Sequence, residues 1–266
     1  MRLVDAHCHL NSDRLQGDVA EVVRAAAEAG VETLVMAGVD AACWRSQQAL
    51  ATRFPGVARM VFGLHPQVVA ELDRAGLDDG LAELERMARG EPALVAVGET
   101  GLDRFTPERR DSVALQEESM RAHFELADAI GRPVVLHLLK AHDDALRVLK
   151  DARLPAAGGV VHSFSGSAEL ARAYVKLGLH VSFCGSLTWP QSRRLRAAAA
   201  EVPLDRVLVE TDSPDQTPHP HQGEANRPAL LPLVAQALAD VHGVDVAEIA
   251  RRTTENATRF YSLSSS

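Results

Sequence analysis

The chain places residues of metal-binding type at the ends of its apolar runs. "DAHCHL" at 5–10 closes the first run with His7 and His9, and "GLHP" at 63–66 carries His65. "VGETGLD" at 97–103 carries Glu99, "VVLH" at 134–137 carries His137, and "GGVVHSFSGS" at 158–167 carries His162. "LVETDSP" at 208–214 carries Asp212. Imidazole suits first-row divalent ions, and carboxylates add hard oxygen ligands. His7, His9, Glu99, His137, His162 and Asp212 outnumber the ligands of one tetrahedral ion with an open position. They suit two ions sharing one carboxylate, which activate water and stabilise the leaving oxygen of an in-line displacement. Glu99 is the expected bridge. Asp212 is expected to serve as ligand and proton acceptor, so these two are the catalytic candidates. Strand alternation puts Asp5, His7 and His9 on one side, with Asp5 a layer below as support and Cys8 turned away.

Each of these residues has a plainer reading. A lone histidine at a strand end is usually a hydrogen-bonded loop residue, and a lone carboxylate there is usually a turn or cap residue. The remaining histidines keep that plainer reading. His123, His142 and His242 fall in helical patterns, His180 opens a strand, and His219 and His221 sit in a proline-rich loop. The candidate ligands differ because the fold gathers them.

That fold is legible as alternation. Short β-rich apolar runs cover 3–7, 32–37, 57–63, 93–98, 133–137, 159–162, 180–184 and 206–210. Helical patterns cover 18–29, 42–54, 78–89, 107–130, 142–152, 168–177, 191–200 and 227–242. Thr106-Pro107 and Ser167 offer helix starts, and Gly30, Gly90, Gly131 and Gly178 offer stops. Eight strands alternating with helices predict an α/β TIM (β/α)8 barrel in a single domain over 1–262, with the metal site at the C-terminal face of the strands. An open doubly wound sheet is the runner-up, but no glycine-rich phosphate loop follows the first strand.

Composition narrows the function classes. The net charge of −8 gives no global basic face, although a local cationic rim remains compatible with it. Aromatic residues make up 4%, which excludes an extended base-stacking platform and leaves Trp189 and Phe164 as candidates for a single stacking contact. Cys8, Cys43 and Cys184 are scattered and odd in number, so free thiols in a reducing, cytoplasmic setting are expected. No run reaches membrane-spanning length, and the terminal "SLSSS" reads as a frayed tail, with the domain ending at 262 and the tail at 263–266.

With "PLDRVLVETDSP" at 203–214 and "TTENATRFY" at 253–261 added to the motifs above, the sequence resembles the TatD family of metal-dependent deoxyribonucleases, in the amidohydrolase-like barrel superfamily. The resemblance runs through the whole chain in order. It implies that His7, His9, Glu99 and Asp212 hold one ion and that Glu99, His137 and His162 hold the second. It implies that His65 contacts the substrate phosphate. It further implies nuclease action on DNA, often exonucleolytic, with Mg²⁺ or Mn²⁺ for turnover and Zn²⁺ often bound. A monomer without an obligate protein partner is expected.

Three loops depart from the family pattern. Arg104 stands where an aromatic is common after "GLD". Leu138 and Leu139 stand where a small polar residue and an arginine are common, with Lys140 one step later. Ala225-Asn226-Arg227-Pro228 replaces a frequent Arg-Asn-Glu-Pro. Arg104, Lys140 and Arg227 are therefore expected as relocated phosphate contacts, the arginines as forks and the lysine as a point charge. Two alternatives to a nuclease stand beside it. One is an amidohydrolase-type hydrolase of amides, lactones or esters; the other is a non-catalytic, metal-stabilised scaffold. Related amidohydrolases often bridge their metals with a modified lysine from the fourth strand, where this chain has Glu99. That favours the nuclease branch.

Overall fold

The computed structural model describes residues 1–15 and 17–263. The eight strands are β1 (Leu3–Cys8), β2 (Val31–Met36), β3 (Ala58–Phe62), β4 (Leu94–Asp103), β5 (Val134–Leu139), β6 (Gly159–Val161), β7 (His180–Phe183) and β8 (Val207–Val209). They pair in parallel in the order of the sequence. Among the described residues eleven α-helices clothe them: α1 (Val19–Glu28), α2 (Ala41–Arg53), α3 (Pro66–Val69), α4 (Arg74–Arg89), α5 (Pro107–Asp111), α6 (Val113–Ile130), α7 (His142–Asp151), α8 (Ala168–Lys176), α9 (Arg193–Ala200), α10 (Leu231–His242) and α11 (Val246–Phe260). This is the TIM barrel that the alternation predicts.

Two apolar clusters follow from strand alternation. Val4, Ala6, Val35, Val61, Ala96, Val135, Val160 and Leu208 form one cluster, small enough to fill a barrel interior. Residues of opposite parity, such as Leu34, Met36, Met60, Phe62, Val134 and Leu136, pack against the helical shell through Leu77, Phe124, Val148 and Leu238. Caps fix where helices begin. Asp18, Asp40, Asp73, Thr106, Ser167 and Asp245 each accept a backbone N–H of the first turn.

The structure departs from the sequence reading at identifiable places. Asp73 caps α4, so that helix begins before 78. The 107–130 segment divides at Ser112 into α5 and α6. β4 runs on to Asp103, through the whole "GETGLD" motif. Helix α11 lies beyond the last predicted helix and closes the barrel seam. Tyr261 Oη donates to the Ala6 carbonyl at 2.9 Å, and Asn256 Nδ2 donates to the Val207 carbonyl at 2.9 Å. Leu263 packs against the interior cluster, and 264–266 of the expected tail lie outside the described residues. Among the described residues, no single helix is long and apolar enough to cross a membrane.

Candidate metal centre and active site

The upper end of the barrel is built where β1 meets the loop after β8. His7 carbonyl oxygen accepts from Asp212 N–H at 2.9 Å, and His9 N–H donates to the Ser213 carbonyl at 2.8 Å. Asp5 fastens the same joint from beneath. Its carboxylate accepts from Thr211 N–H at 2.9 Å and from Thr211 Oγ1 at 2.6 Å. Asp5 also accepts from His7 N–H at 3.3 Å, which makes it a support for that ligand's backbone. The simple alternation expected over 5–9 does not hold, because the β1–β2 register shifts between Asp5 and Cys8. The irregularity lets Asp5 reach across to Thr211 while His7 turns to the metal candidates. Burial pushes the Asp5 carboxyl up to about 7, against the pull of its Thr211 hydrogen bonds.

β4 delivers Glu99 into the centre. Gly101 in the same strand has φ +138, and a Cβ there would lie 2.2 Å from the His137 carbonyl oxygen. Glycine is thus required for β4 to run close beside β5 at the level of His137. Glu99 Oε1 lies 2.9 Å from His7 Nε2 and 3.2 Å from His162 Nε2; its Oε2 lies 3.4 Å from His65 Nε2. Asp212 Oδ1 lies 3.7 Å from His7 Nε2 and 3.6 Å from His9 Nε2. His137 Nδ1 lies 3.1 Å from His162 Nε2. Sequence-distant ligands thereby fall into three overlapping groups: His7 with His9 and Asp212, His7 with Glu99 and His162, and His65 with Glu99 and His137.

The charges at this point are strongly coupled. Burial opposes a charge on His7, but the facing carboxylates, Glu99 foremost, outweigh it and push the imidazole up to about 10. Burial likewise opposes ionisation of Glu99, and the surrounding imidazoles outweigh it and hold its carboxyl well below the usual range. Asp212 is held low against burial by its His9 hydrogen bond and the neighbouring imidazoles. The carboxylates therefore demand positive charge here. Four donor atoms facing the centre or its supports, His7 Nε2, Glu99 Oε2, His137 Nε2 and His162 Nδ1, are buried without a hydrogen-bond partner among the described residues. Buried polar atoms are rarely left so unless an ion or water belongs with them. The donor set fits divalent metal.

His65 differs from the ligands around it. Its Nδ1 accepts from Gln67 N–H at 3.1 Å, at the start of α3. Burial drives its pKa down to about 3, so the ring is neutral, and the accepting Nδ1 leaves the proton on Nε2. A protonated Nε2 donates a hydrogen bond; it does not offer a lone pair to an ion.

Two further carboxylates within the same motifs, Asp103 and Glu210, stand behind the histidines. Asp103 Oδ2 lies 3.6 Å from His137 Nε2, on the side away from the other ligands, and is itself held by Arg109 at 2.8 Å. Glu210 Oε1 lies 3.5 Å from His162 Nδ1 and accepts from Ser163 N–H at 2.6 Å. Carboxylates in this position orient metal-ligating imidazoles and raise their basicity.

The ligands open into a cavity of about 530 Å³ whose mouth carries Asn11, Arg14 and Asp215. Arg14 grips Asp215 through two hydrogen bonds, at 2.8 and 2.5 Å. The structure does not bring the expected cations to this cavity. Arg104 pairs with Asp144 at 2.5 Å, Lys140 Nζ sits 4.4 Å above the exposed Phe105 ring, and Arg227 is exposed and does not line it. Phe164 is buried in the core, whereas Trp189 is half-buried in the wall of an adjoining lobe. Backbone strain concentrates at this rim: Lys140, Ser163, Asp212 and Gln216 all have positive φ.

Comparison with known proteins agrees with this geometry. The TatD related DNase family matches residues 4–262. YcfH of Escherichia coli (strain K12), an uncharacterized metal-dependent hydrolase, is 36% identical over 282 residues, covering 100% of this chain and 98% of its own. A Mycobacterium tuberculosis (strain ATCC 25618 / H37Rv) relative, the uncharacterized metal-dependent hydrolase TatD, is 38% identical over 270 residues, covering 98% of each chain. The crystal structure of YjjV, a TatD homologue from Escherichia coli K12, superposes with a TM-score of 0.91 at 31% identity and 99% coverage of both chains. The chain is therefore a metal-dependent hydrolase and belongs to the TatD related DNase family.

Proposed function

We propose that this protein hydrolyses DNA phosphodiester bonds as an exonuclease, with two divalent ions, on single-stranded or frayed ends. The observation that carries this reading is the buried carboxylate of Glu99, which faces His7 and His162 through Oε1, joins two of the ligand groups and keeps Oε2 without a hydrogen-bond partner among the described residues. His7, His9, Glu99 and Asp212 would hold one ion, and Glu99, His137 and His162 the other. The bound ions would supply Lewis-acid polarisation of the phosphoryl oxygens and make water acidic enough to react near neutral pH. Asp212, ionised and at the wall of the cavity, is placed to accept the proton of the attacking water at Oδ2. In this reading His65 Nε2–H, which lies 3.3 Å from His137 Nδ1, would turn to donate to a non-bridging phosphate oxygen. Arg14 and Asn11 guard the entrance on the β1 side.

Mg²⁺ or Mn²⁺ for turnover, Zn²⁺ as a bound form, 3′ to 5′ polarity and a role in DNA repair or degradation belong to the same proposal. So do a monomeric state and a cytoplasmic setting, with which the three buried free thiols are compatible. End-labelled single-stranded and duplex DNA with Mg²⁺ or Mn²⁺, with and without chelator, tests the reading beside Glu99→Ala. Chelator-sensitive loss that disappears in the variant is expected. Loss that persists in the variant indicates contamination. No loss with any metal shifts the reading to an amide, lactone or ester substrate.

A further inference from the structure

The cavity has a second lobe whose chemistry differs from the first. It measures about 380 Å³ and shares His137, His162 and Asp212 with the metal centre. Leu138, Leu139, Leu195 and Trp189 supply its apolar wall, and serines together with Gln191, Arg194 and Gln216 supply its polar groups. The first lobe, by contrast, is lined by Asn11, Ser12, Arg14, Asp40 and Asp215. The two lobes meet at the ligands. A substrate held at the ions therefore reaches one way into polar groups and the other way into an apolar slot.

The slot is built and held. Trp189 Nε1 donates to the Thr217 carbonyl at 2.8 Å, and Arg196 donates to the Trp189 backbone carbonyl at 2.8 Å, so the residue is held through both its indole and its main chain. A Cβ at Gly185 would lie 1.8 Å from the Gln216 carbonyl oxygen. The loop after β7 and the loop after β8 thus touch backbone to backbone, and this contact sets the width of the lobe. Gln216 has φ +55, and its side-chain Oε1 is buried with no hydrogen-bond partner among the described residues. A buried amide oxygen left unpartnered is costly unless a ligand completes it. Arg194 is exposed at the rim and has no carboxylate partner among the described residues, unlike Arg14 and Arg104.

We propose that this lobe is a nucleobase subsite. It takes the base of an unpaired nucleotide adjoining the scissile phosphodiester, stacked on Trp189 and flanked by Leu138, Leu139 and Leu195. The Gln216 amide pairs with the base edge, and Arg194 faces the next phosphate. The inference rests on the phosphodiesterase reading of the adjoining centre. A flat ring needs an aromatic face and apolar walls, its edge needs an amide, and its charged tail needs a cation. The lobe offers these together and in one place. A slot of about 380 Å³ has room for one unstacked base and not for a base pair, so binding requires the terminal nucleotide to be unpaired.

Tryptophan fluorescence tests the subsite without turnover. Trp44 is fully buried and serves as a constant background, leaving Trp189 as the reporter. In Mg²⁺, titration with deoxyadenosine 5′-monophosphate is expected to quench the emission saturably, and deoxyribose 5-phosphate is not. Equal quenching by both, or quenching by neither, overturns the proposal. In cleavage of single-stranded DNA, a terminal base is expected to be preferred over a terminal abasic nucleotide. Trp189→Ala should reduce that preference by roughly 5- to 150-fold, the loss of one base–aromatic stack. An unchanged preference in a folded Trp189→Ala protein overturns it. Arg194 is exposed, so Arg194→Ala folds in any case; it should weaken nucleotide binding several-fold, and unchanged binding counts against the proposed geometry. If no DNA is cleaved while base-selective quenching persists, the nuclease reading falls and the subsite stands.

Discussion

The imidazoles of His7 and His162 stack with centroids 4.0 Å apart and planes 17° from parallel, and both aim Nε2 at the same oxygen of Glu99. Two imidazolium rings in that arrangement would repel strongly in a buried site. Two neutral rings would leave the Glu99 carboxylate buried without a full counter-charge. One protonated ring, His7, balances Glu99 when no ion is bound, and a divalent cation among the three groups would supply that charge in its place.

The first prediction concerns that cation. Because Glu99 belongs to both ligand groups, Glu99→Gln should lose both ions, whereas His9→Ala should weaken one. Metal content after Mn²⁺ or Zn²⁺ loading and desalting, read by elemental analysis per chain, checks this. Two ions retained by a folded Glu99→Gln protein would remove Glu99 as the bridge.

The second concerns the carboxylates behind the histidines. Asp103 is fully buried, and despite the penalty of burial its pKa is held down to about 2, with His137 the leading cause. Glu210 holds the Ser163 backbone while facing His162. Asp103→Asn and Glu210→Gln should each lower metal affinity or activity by about 10- to 100-fold while all six ligands remain. Calorimetric Mn²⁺ titration of the two variants is the measurement. Affinities within threefold of the parent would leave both residues with a structural role only.

These two residues mark the limit of what the sequence disclosed. The ligands His7, His9, Glu99, His137, His162 and Asp212 were legible because each interrupts or ends an apolar run with a residue of the wrong polarity. Asp103 and Glu210 were not, because their roles depend on which ring nitrogen faces them. The extension of β4 was hidden by glycines at 98 and 101, which read as a loop. Helix α11 is hard to read from the sequence because its apolar residues, such as Ile249, Ala250 and Ala257, are sparse among charged ones. The expectation of relocated phosphate cations at 104, 140 and 227 rests on loop departures alone, and local partners, Asp144 for Arg104 and Phe105 for Lys140, hold two of them elsewhere.

The third prediction is a pH dependence set by His123, which lies far from any ligand set in sequence but carries the His65 loop. His123 Nε2 accepts from Leu64 N–H at 2.9 Å, and its Nδ1 donates to the Ser119 carbonyl at 2.7 Å. Burial drives its pKa from 6.5 down to about 4. The unfolded chain therefore binds a proton that the folded chain refuses between these values. Its contribution is complete above pH 6.5 and is lost as pH falls toward 4, by roughly 3 kcal/mol at 1.36 kcal/mol per pKa unit. Urea unfolding from pH 4 to pH 7 should show this slope in the parent and a flatter one in His123→Gln. Equal slopes in the two proteins would show that other groups set the acid limit.

The last prediction concerns the barrel seam, on which the metal geometry depends. Among the described residues β1 and β8 form no ladder. They are joined instead by His7 with Asp212, His9 with Ser213 and Asp5 with Thr211. Below that joint the Ala6 carbonyl has Tyr261 Oη as its donor, from the end of α11. Tyr261 is buried, so Tyr261→Phe leaves a buried carbonyl unsatisfied and should cost about 1–3 kcal/mol. For a chain of this size each kcal/mol lowers the melting temperature by about 2–4 °C. The three upper fastenings survive the substitution, so metal content should remain at the parental level while stability falls. Calorimetric melting alongside metal analysis separates the two effects. Loss of an ion at unchanged stability would reverse the assignment, making Tyr261 a determinant of ligand geometry and not of the seam.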